Sequence, residues 1–291
     1  MLKRITNFFL HLLFLFFRFI LIFFSFNTAS NICGKLAKSI GKFHKASKIA
    51  YKNLKNIYPE KTDEEIKVII EKVWEHLGRN FGEFVKLNSL SKEEILNLVE
   101  HSELQNLQKY LKEHPKVIIV SGHFGNWEIA PKVANYFNIP FYLIYRHANN
   151  KYFDREINKI RLKYVKGLFD KGIQGARNLV KTLLQSENFI LCMLVDQKLN
   201  TGIKSNFLGK SANTSTFAAE LSCKYKMPII MARIERINME PKFKIKIGPY
   251  LDEHLQKPTN YSDLTQQLND IIGTWIHESP EQWFWVHKRW S

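Results

Sequence analysis

Residues 116–128 read KVIIVSGHFGNWE, and this segment indicates the fold class more clearly than any other part of the chain. Its first five residues form a short, mainly β-branched run, which is typical of a buried strand. Polar and flexible residues follow where the run ends, namely Ser121, Gly122 and His123. Residues 126–137 then have a helical pattern. The segment therefore predicts a strand, a loop and a helix in succession, with functional side chains in the loop.

The same alternation continues along the chain. Strand patterns recur at 141–145, 189–195, 228–234 and 243–247, and helical patterns at 151–165, 174–185, 216–225 and 263–277. Upstream, Thr62 with Glu65 and Ser91 with Glu94 have the spacing of capping boxes, which predicts two further helices. Alternating strands and helices predict an α/β fold with a mixed, largely parallel sheet flanked by helices.

Length and composition limit the class of protein. The 291 residues are enough for one domain of catalytic size or two small ones. With 45% hydrophobic and 24% charged residues, the chain is neither a disordered tail protein, nor a collagen-like repeat, nor a polytopic transporter. Its three cysteines are widely separated, which indicates structural thiols in a reducing compartment rather than a zinc or iron–sulfur site.

The first 58 residues differ from the rest of the chain. They contain ten Lys or Arg and no acidic residue, so they carry most of the formal net charge of +16. Residues 5–26 are almost continuously apolar and would be about 33 Å long as a helix, which matches the hydrocarbon core of a bilayer. This length favours a retained membrane-spanning helix over a cleaved signal peptide. Positive residues after the segment outnumber those before it, which predicts a single-pass anchor with a cytoplasmic body.

Lysines then recur every three or four residues from Lys35 to Lys55, with apolar residues on the opposite side. This pattern predicts a basic amphipathic helix on an anionic membrane surface. A solvated helix packed on the body would have the same pattern. The expected organisation is therefore a transmembrane anchor at 1–30, a surface helix at 31–58 and a cytoplasmic domain at 59–291.

His123 and Glu128 form the candidate catalytic pair. Five residues correspond to about 140° around a helix, so the two side chains can meet only if His123 lies in the loop and the chain turns back. Gly122 and Gly125 make such a turn possible. A carboxylate that contacts an imidazole fixes its tautomer and stabilises the imidazolium, which is the arrangement used in general-base catalysis.

Several separated segments together resemble a known family. In HFGNWE a His is followed by four residues and an acid, and the further segments are Tyr145-Arg146, Arg161, Val195-Asp196-Gln197, Phe207-Leu208-Gly209 with Thr214, Arg233 and Glu281–Arg289 (EQWFWVHKR). In this order, and over nearly the whole chain, they are similar to the late (secondary) acyltransferases of lipid A biosynthesis, the lauroyl and myristoyl acyltransferases.

The resemblance implies transfer of a fatty acyl group from acyl carrier protein to a hydroxyl of an acylated, phosphorylated, Kdo-bearing disaccharide. It places the enzyme at the cytoplasmic face of a bacterial inner membrane, with membrane lipids, acyl carrier protein and the lipid A precursor as partners. No cofactor, metal or nucleic acid is expected. The sequence agrees, because it has no Gly-x-Ser-x-Gly elbow, no His-Glu-x-x-His and no dinucleotide glycine fingerprint. Of the possible mechanisms, this leaves direct attack of a bound hydroxyl on the acyl donor.

In this interpretation His123 takes the proton of the acceptor hydroxyl, and Glu128 orients His123. Arg161 is the first candidate to stabilise the oxyanion and Arg146 the second, because a guanidinium also matches acceptor phosphates bidentately. For both arginines, an ordinary surface ion pair is the alternative.

Asp196 and Gln197 follow a strand, where α/β folds place ligands, so we expect them to support the site or to contact substrate. A hydrogen-bonded turn is the alternative for both. Arg233 is a further candidate for substrate binding. The carboxyl-terminal run predicts either an aromatic and basic rim at the membrane interface or a terminus packed in the core, with Trp283, Trp285, Lys288, Arg289 and Trp290 as its members.

Two other functions compete with this one. A membrane acyltransferase that uses acyl-CoA, or that acts on another glycolipid or on a phospholipid, would carry the same motifs. A non-catalytic, membrane-tethered protein that binds nucleic acid would explain the positive charge. The charge, however, collects beside the apolar segment, and the sequence has no signature of a nucleic-acid-binding module.

Overall fold

The computed structural model describes residues 2–255 and 260–290, and in that part of the chain a seven-stranded sheet has helices on both faces. The strands are β1 (Val99–Glu100), β2 (Lys116–Ser121), β3 (Phe141–Tyr145), β4 (Gly167–Asp170), β5 (Phe189–Leu194), β6 (Ile203–Phe207), β7 (Lys210–Thr214), β8 (Ile229–Arg236) and β9 (Phe243–Leu251). Strands β6 and β7 form a separate hairpin. The sheet order is β1-β9-β8-β2-β5-β3-β4, and every pair is parallel except β8–β9. The predicted α/β fold is confirmed.

The helices account for most of the remaining described chain. They are α1 (Leu2–Ile22), α2 (Phe26–Gly41), α3 (Lys45–Ile57), α4 (Asp63–Lys86), α5 (Lys92–Leu98), α6 (Glu103–Glu113), α7 (Ile129–Tyr136), α8 (Lys151–Arg161), α9 (Ile173–Gln185), α10 (Phe217–Tyr225) and α11 (Tyr261–Glu278). Both predicted capping boxes form, at Thr62 before α4 and at Ser91 before α5. Short 3₁₀ turns lie at Leu87–Ser89, Glu253–Leu255 and Pro280–Gln282.

Strand β2 is apolar because both faces of the sheet are covered. Ile118 and Val120 belong to the core cluster on one face, with side chains from α9, α10 and α11. Val117 and Ile119 belong to the cluster on the other face, with side chains from α7 and α8. A strand buried on both faces reads as a continuous apolar run, which is the pattern in the sequence.

The register between β2 and β5 positions the candidate site. Ser121 pairs with Leu194 at the carboxyl end of the two parallel strands. His123 and Asp196 each lie two residues beyond this pair, so they leave the sheet side by side. Strands β3 and β4 end at the same edge, which gathers four loops there.

Five strands and helices were not predicted from the sequence, namely β1, β4, β6, β7 and α6. Strand β1 has two residues and β4 has four, which is too short for a periodic signal. The hairpin β6–β7 is largely polar and turns through Leu208 and Gly209, both at positive φ. Helix α6 is dominated by polar side chains that face solvent.

The predicted single basic helix at 31–58 is instead divided between α2 and α3. The His44 ring accepts a hydrogen bond from the backbone N–H of Ala46, at 3.2 Å, and so begins α3. Helix α2 packs closely along α4, where a Cβ on Gly78 would lie 2.2 Å from the backbone oxygen of Cys33. Helix α2 therefore packs on the body near Cys33, whereas Leu36 and Ile40, two of the apolar residues opposite the lysines, are exposed. The membrane-surface role of this region stays a prediction.

Helix α1 also differs from the prediction. Among the described residues, no helix is both long and apolar enough to span a bilayer, so the single-pass prediction over residues 5–26 has no support in the structure. The helix ends at Ile22, and one side of it contacts the body. The rings of Phe14 and Phe17 pack near Phe81 of α4, and Arg18 forms a 2.9 Å ion pair with Glu156 of α8.

Candidate active site

A cavity of about 640 Å³ lies at the carboxyl edge of β2, β5, β3 and β4. Polar side chains line one part of it, namely His123, Glu128, Arg146, Arg161 and Gln197. Apolar side chains line another part, among them Phe169, Leu179, Met193, Val195 and Phe217. Most of the predicted site residues therefore meet beside a space that suits an apolar ligand.

The partner of His123 is Asp196. The Nδ1 atom of His123 lies 2.8 Å from Oδ1 of Asp196, and the backbone N–H of His123 donates to Oδ2 at 2.9 Å. The indole N–H of Trp283 donates to the same Oδ2 at 2.7 Å. Asp196 is fully buried, so these three hydrogen bonds hold its carboxylate in one orientation.

Asp196 stays ionised at neutral pH. Burial acts to raise the pKa of this carboxyl group, but the charge of His123 and the hydrogen bonds from it hold the pKa well below its ordinary value. An ionised carboxylate only accepts hydrogen bonds, so Nδ1 of His123 carries the proton of the ring. In the neutral ring, Nε2 is then the basic atom, and it can take a proton from a ligand.

Three side chains pack around the imidazole of His123. The amide nitrogen of Gln197 lies 3.3 Å from Nε2 of His123. The Trp127 ring meets the imidazole edge to face at 5.0 Å, and the Phe284 ring lies 5.8 Å away on a tilt. These contacts restrict the imidazole to one orientation at the cavity wall.

The predicted contact between Glu128 and His123 is replaced by a pair between Glu128 and Arg161. The Nε–H of Arg161 donates to one carboxylate oxygen of Glu128 at 3.0 Å, and Nη2 donates to the other. The indole of Trp127 adds a bond at 3.2 Å. The reason is the turn at Gly125, whose φ is +56°, after which Glu128 begins α7 and faces α8.

Arg161 is held as a charged group by this pair. Burial acts to lower its pKa, but Glu128 outweighs burial and raises the pKa above the ordinary value. A guanidinium has five N–H groups, and two of those of Arg161 donate to Glu128. The other three have no hydrogen-bond partner within residues 2–255 and 260–290, and Arg161 lines the cavity.

The two other candidate arginines have different surroundings. Arg146 is exposed and lines the cavity. Arg233 is buried behind the loop, where it pairs with Glu235 and Glu278 and stacks over Phe124 at 5.8 Å. The predicted substrate contact of Arg233 is thus replaced by structural support for the residue next to His123.

The carboxyl-terminal run packs in the core. Trp283 and Trp285 are 1% and 0% exposed, which decides against the interfacial rim for these two residues. Trp283 bonds to Asp196, and its backbone forms a bridge with Phe124. Arg289 is also buried, and it donates to the Thr214 hydroxyl at 2.8 Å. The run therefore supports the carboxylate behind His123.

Cys192 also lines the cavity. Burial raises the pKa of its thiol to about 12, and Glu128 adds to the effect. A thiol with such a pKa is a poor nucleophile at neutral pH. Among the described residues, no group of three or more His, Cys, Asp or Glu side chains is placed to hold a metal ion.

Sequence reasoning missed a buried network below the loop. Glu83 and Asn80 of α4 contact the loop directly, and Arg236 of β8 pairs with Glu83. No local signal could have shown this, because one acid or amide within a helical pattern ordinarily indicates a solvated face.

Comparison with known proteins shows the family of this chain. The sequence model of the family described as bacterial lipid A biosynthesis acyltransferase matches residues 2–291. The lipid A biosynthesis palmitoleoyltransferase of Escherichia coli (strain K12) is 22% identical over 242 residues, which cover 83% of this chain and 77% of that protein. The lipid A biosynthesis acyltransferase of Shigella flexneri has the same identity and coverage. The chain therefore belongs to the bacterial lipid A biosynthesis acyltransferase family, and its reaction is an acyl transfer in lipid A biosynthesis.

Proposed function

We propose that this enzyme transfers a fatty acyl chain from acyl carrier protein to a hydroxyl of a Kdo-bearing lipid A precursor, by direct attack of that hydroxyl on the thioester. The observation that carries the proposal is the His123–Asp196 pair at the wall of the cavity. It supplies a base whose Nε2 lies at the cavity wall, next to an apolar space that suits an acyl chain.

In the proposed reaction, Nε2 of His123 takes the proton of the acceptor hydroxyl while the hydroxyl oxygen bonds to the thioester carbon. The tetrahedral intermediate then collapses, and the carbon–sulfur bond breaks. The proton on His123 passes to the departing thiolate, so the base is restored. Asp196 keeps the proton on Nδ1 and stabilises the imidazolium between these steps.

Glu128 and Arg161 act as a unit in this proposal. Glu128 holds the guanidinium by two hydrogen bonds, and Arg161 directs its remaining N–H groups at the oxyanion. Gln197 is the second donor near the reacting atoms, because its amide nitrogen lies beside Nε2 of His123. Arg146 at the cavity wall is the proposed contact for an acceptor phosphate.

The reaction is proposed to take place at the cytoplasmic face of the inner membrane. Large apolar side chains are exposed along α1, directly after α1 and just after α2, namely Phe9, Leu13, Phe16, Phe19, Phe23 and Phe43. Lys42 and Lys45 flank Phe43. Such a combination binds the headgroup region of anionic membranes.

The test is acyl transfer from acyl carrier protein to tetra-acylated, Kdo-bearing lipid A precursor, followed by mass spectrometry. The wild type should give product, and His123→Ala should give none at equal protein levels. His114→Ala is the matched control, because His114 lies outside the cavity. Transfer by the wild type only from acyl-CoA, or only to another glycolipid or a phospholipid, would overturn the donor or the acceptor. Equal activity of His123→Ala would overturn the mechanism.

A further inference from the structure

We propose that Glu83 is a positioning residue for this reaction, because its buried carboxylate fixes the loop that carries His123 and Glu128. The inference rests on the proposed function. Glu83 lies on α4 and is fully buried. It does not line the active-site cavity, so it acts on the reaction through the loop.

The carboxylate of Glu83 has four hydrogen-bond donors around it. The Asn126 amide donates to Oε2 at 2.6 Å, and the Ser30 hydroxyl donates to Oε1 at 2.6 Å. Arg236 donates from both terminal nitrogens, at 2.5 Å and 2.8 Å. A carboxylate with four donors is saturated, so the Asn126 amide has one fixed place.

A second hydrogen bond joins α4 to the loop, and it comes from Asn80, one helical turn before Glu83. The Asn80 amide donates to the backbone oxygen of Gly125 at 2.7 Å, while its own oxygen accepts from Arg236 at 2.8 Å. Gly125 and Asn126 are consecutive, so α4 holds two adjacent loop residues. Gly125 allows no alternative residue, because a Cβ there would lie 1.9 Å from the backbone oxygen of Ile234.

The fixed loop determines where Glu128 lies. The side-chain oxygen of Asn126 accepts from the backbone N–H of Glu128 at 3.2 Å. A single amide therefore links the Glu83 carboxylate to the residue that pairs with Arg161. His123 lies three residues before Asn126 in the same loop. The contact of Asn126 with Glu83 therefore helps to position both His123 and Glu128.

A purely stabilising role does not account for this arrangement. Both side chains of the Arg236–Glu83 pair are 0% exposed, and a fully buried ion pair is often no more stabilising than apolar residues of the same volume. What such a pair adds is a defined orientation. An error of about 1 Å in a reacting group can cost about a hundredfold in rate, so a defined orientation matters at this loop.

The test compares three single variants by steady-state kinetics with acyl carrier protein thioester and lipid A precursor. Glu83→Gln weakens the hydrogen bonds that the carboxylate accepts. Asn126→Ala removes the side chain that joins the loop to Glu83, while the Arg236–Glu83 pair remains. Glu75→Gln is the matched control, because Glu75 also lies on α4 and pairs with Arg79 at 2.9 Å. We expect kcat to fall about tenfold or more in the first two variants, with KM changed less than about threefold. The control should keep both parameters.

The outcome separates the two hypotheses. No product from the wild type overturns the proposed function, and hydrogen–deuterium exchange of residues 122–128 then tests the positioning role. Exchange should be faster in Glu83→Gln and in Asn126→Ala than in Glu75→Gln. With an active wild type, unchanged kcat in Asn126→Ala overturns the inference, even if Glu83→Gln fails to fold. An equal loss of kcat in Glu75→Gln would also overturn it.

Discussion

At His123, one hydrogen bond determines which ring nitrogen faces the cavity. Asp196 holds the proton on Nδ1, and the buried indole of Trp283 holds Asp196. Glu128, the acid in the local motif, is committed to Arg161. The two carboxylates therefore have separate tasks, one on the base and the other on the guanidinium.

Replacement of Asp196 should be severe. Asp196→Asn presents an amide that can donate to Nδ1, which moves the ring proton to Nε2 and removes the base. We expect kcat to fall by about a hundredfold or more, measured by acyl transfer at equal protein levels. Asp154→Asn is the control, since Asp154 pairs with Nδ1 of His147 at 2.7 Å outside the cavity. Comparable losses in both variants would contradict the assignment.

Glu128 and Arg161 should behave as one unit. Glu128→Gln and Arg161→Gln each break the same pair, so the double variant should lose little more activity than the worse single variant. Steady-state kinetics of the four proteins give the coupling energy. If the activation free-energy losses of the two single variants add up to the loss of the double variant, the two side chains act independently.

At the scale of elements, the contact between α2 and α4 depends on the absence of side chains. A Cβ on Gly78 would lie 2.2 Å from the backbone oxygen of Cys33, and one on Gly82 would lie 2.6 Å from that of Ala29. The same helix α4 carries Glu83 toward the loop that contains His123 and Asn126. Displacement of α2 would therefore also disturb the hydrogen bond that the Ser30 hydroxyl donates to the Glu83 carboxylate.

Gly78→Ala should destabilise the protein by about 1–3 kcal/mol, because the added methyl group meets backbone that cannot move away. Gly273→Ala is the control. A Cβ there would lie 3.5 Å from a Leu208 methyl group, an ordinary contact, and alanine favours the helix. Denaturant unfolding should show a lower midpoint only for Gly78→Ala. Similar midpoints in the two variants would contradict the close packing.

Helix α7, which follows the loop that contains His123, carries a buried lysine. Burial lowers the pKa of Lys132 to about 8, and the charge of Lys163 adds to the effect. The side chain donates to the backbone oxygens of Leu87 and Leu90. The folded state thus releases this proton at lower pH than the unfolded chain does.

The pH dependence follows from that difference. Between about pH 8 and pH 10.5 the unfolded chain binds more protons at Lys132, so this group's contribution to stability rises with pH. The free energy of unfolding of the wild type, minus that of Lys132→Met, should rise by about 2 kcal/mol from pH 8 to pH 10. Denaturant titrations at several pH values measure it. A difference that is constant with pH would contradict the low pKa.

At the scale of the whole molecule, the net charge of +16 favours encounter with acidic partners. Acyl carrier protein, the proposed donor, is acidic, so kcat/KM for its thioester should fall steeply as NaCl is added. The matched donor is the same acyl chain on uncharged pantetheine, for which salt should have little effect. Stopped assays across a salt series measure both. Equal salt dependence for the two donors would contradict electrostatic docking of the carrier protein.

Local pattern was enough to predict most elements of the fold. The apolar runs at β2, β3, β5, β8 and β9 and the capping boxes at Thr62 and Ser91 are confirmed, because periodicity and caps depend on neighbouring residues. The position of His123 in a loop after a strand is also confirmed. The contacts of α1 depend on α4 and α8, which are distant in sequence, and the prediction lacked these contacts. It also lacked the break between α2 and α3, where the His44 ring caps α3.

By itself, then, the sequence specified an α/β fold, a basic amino-terminal region, the loop with His123 and Glu128, and the likeness to lipid A acyltransferases. Tertiary structure alone decided which acid meets the imidazole. Asp196 is 73 residues from His123 along the chain, and the two meet because β2 and β5 pair in parallel and in register. The burial of Trp283 and Glu83 was decided in the same way. Such contacts depend on how whole elements cover one another's apolar faces, and no local periodicity records that.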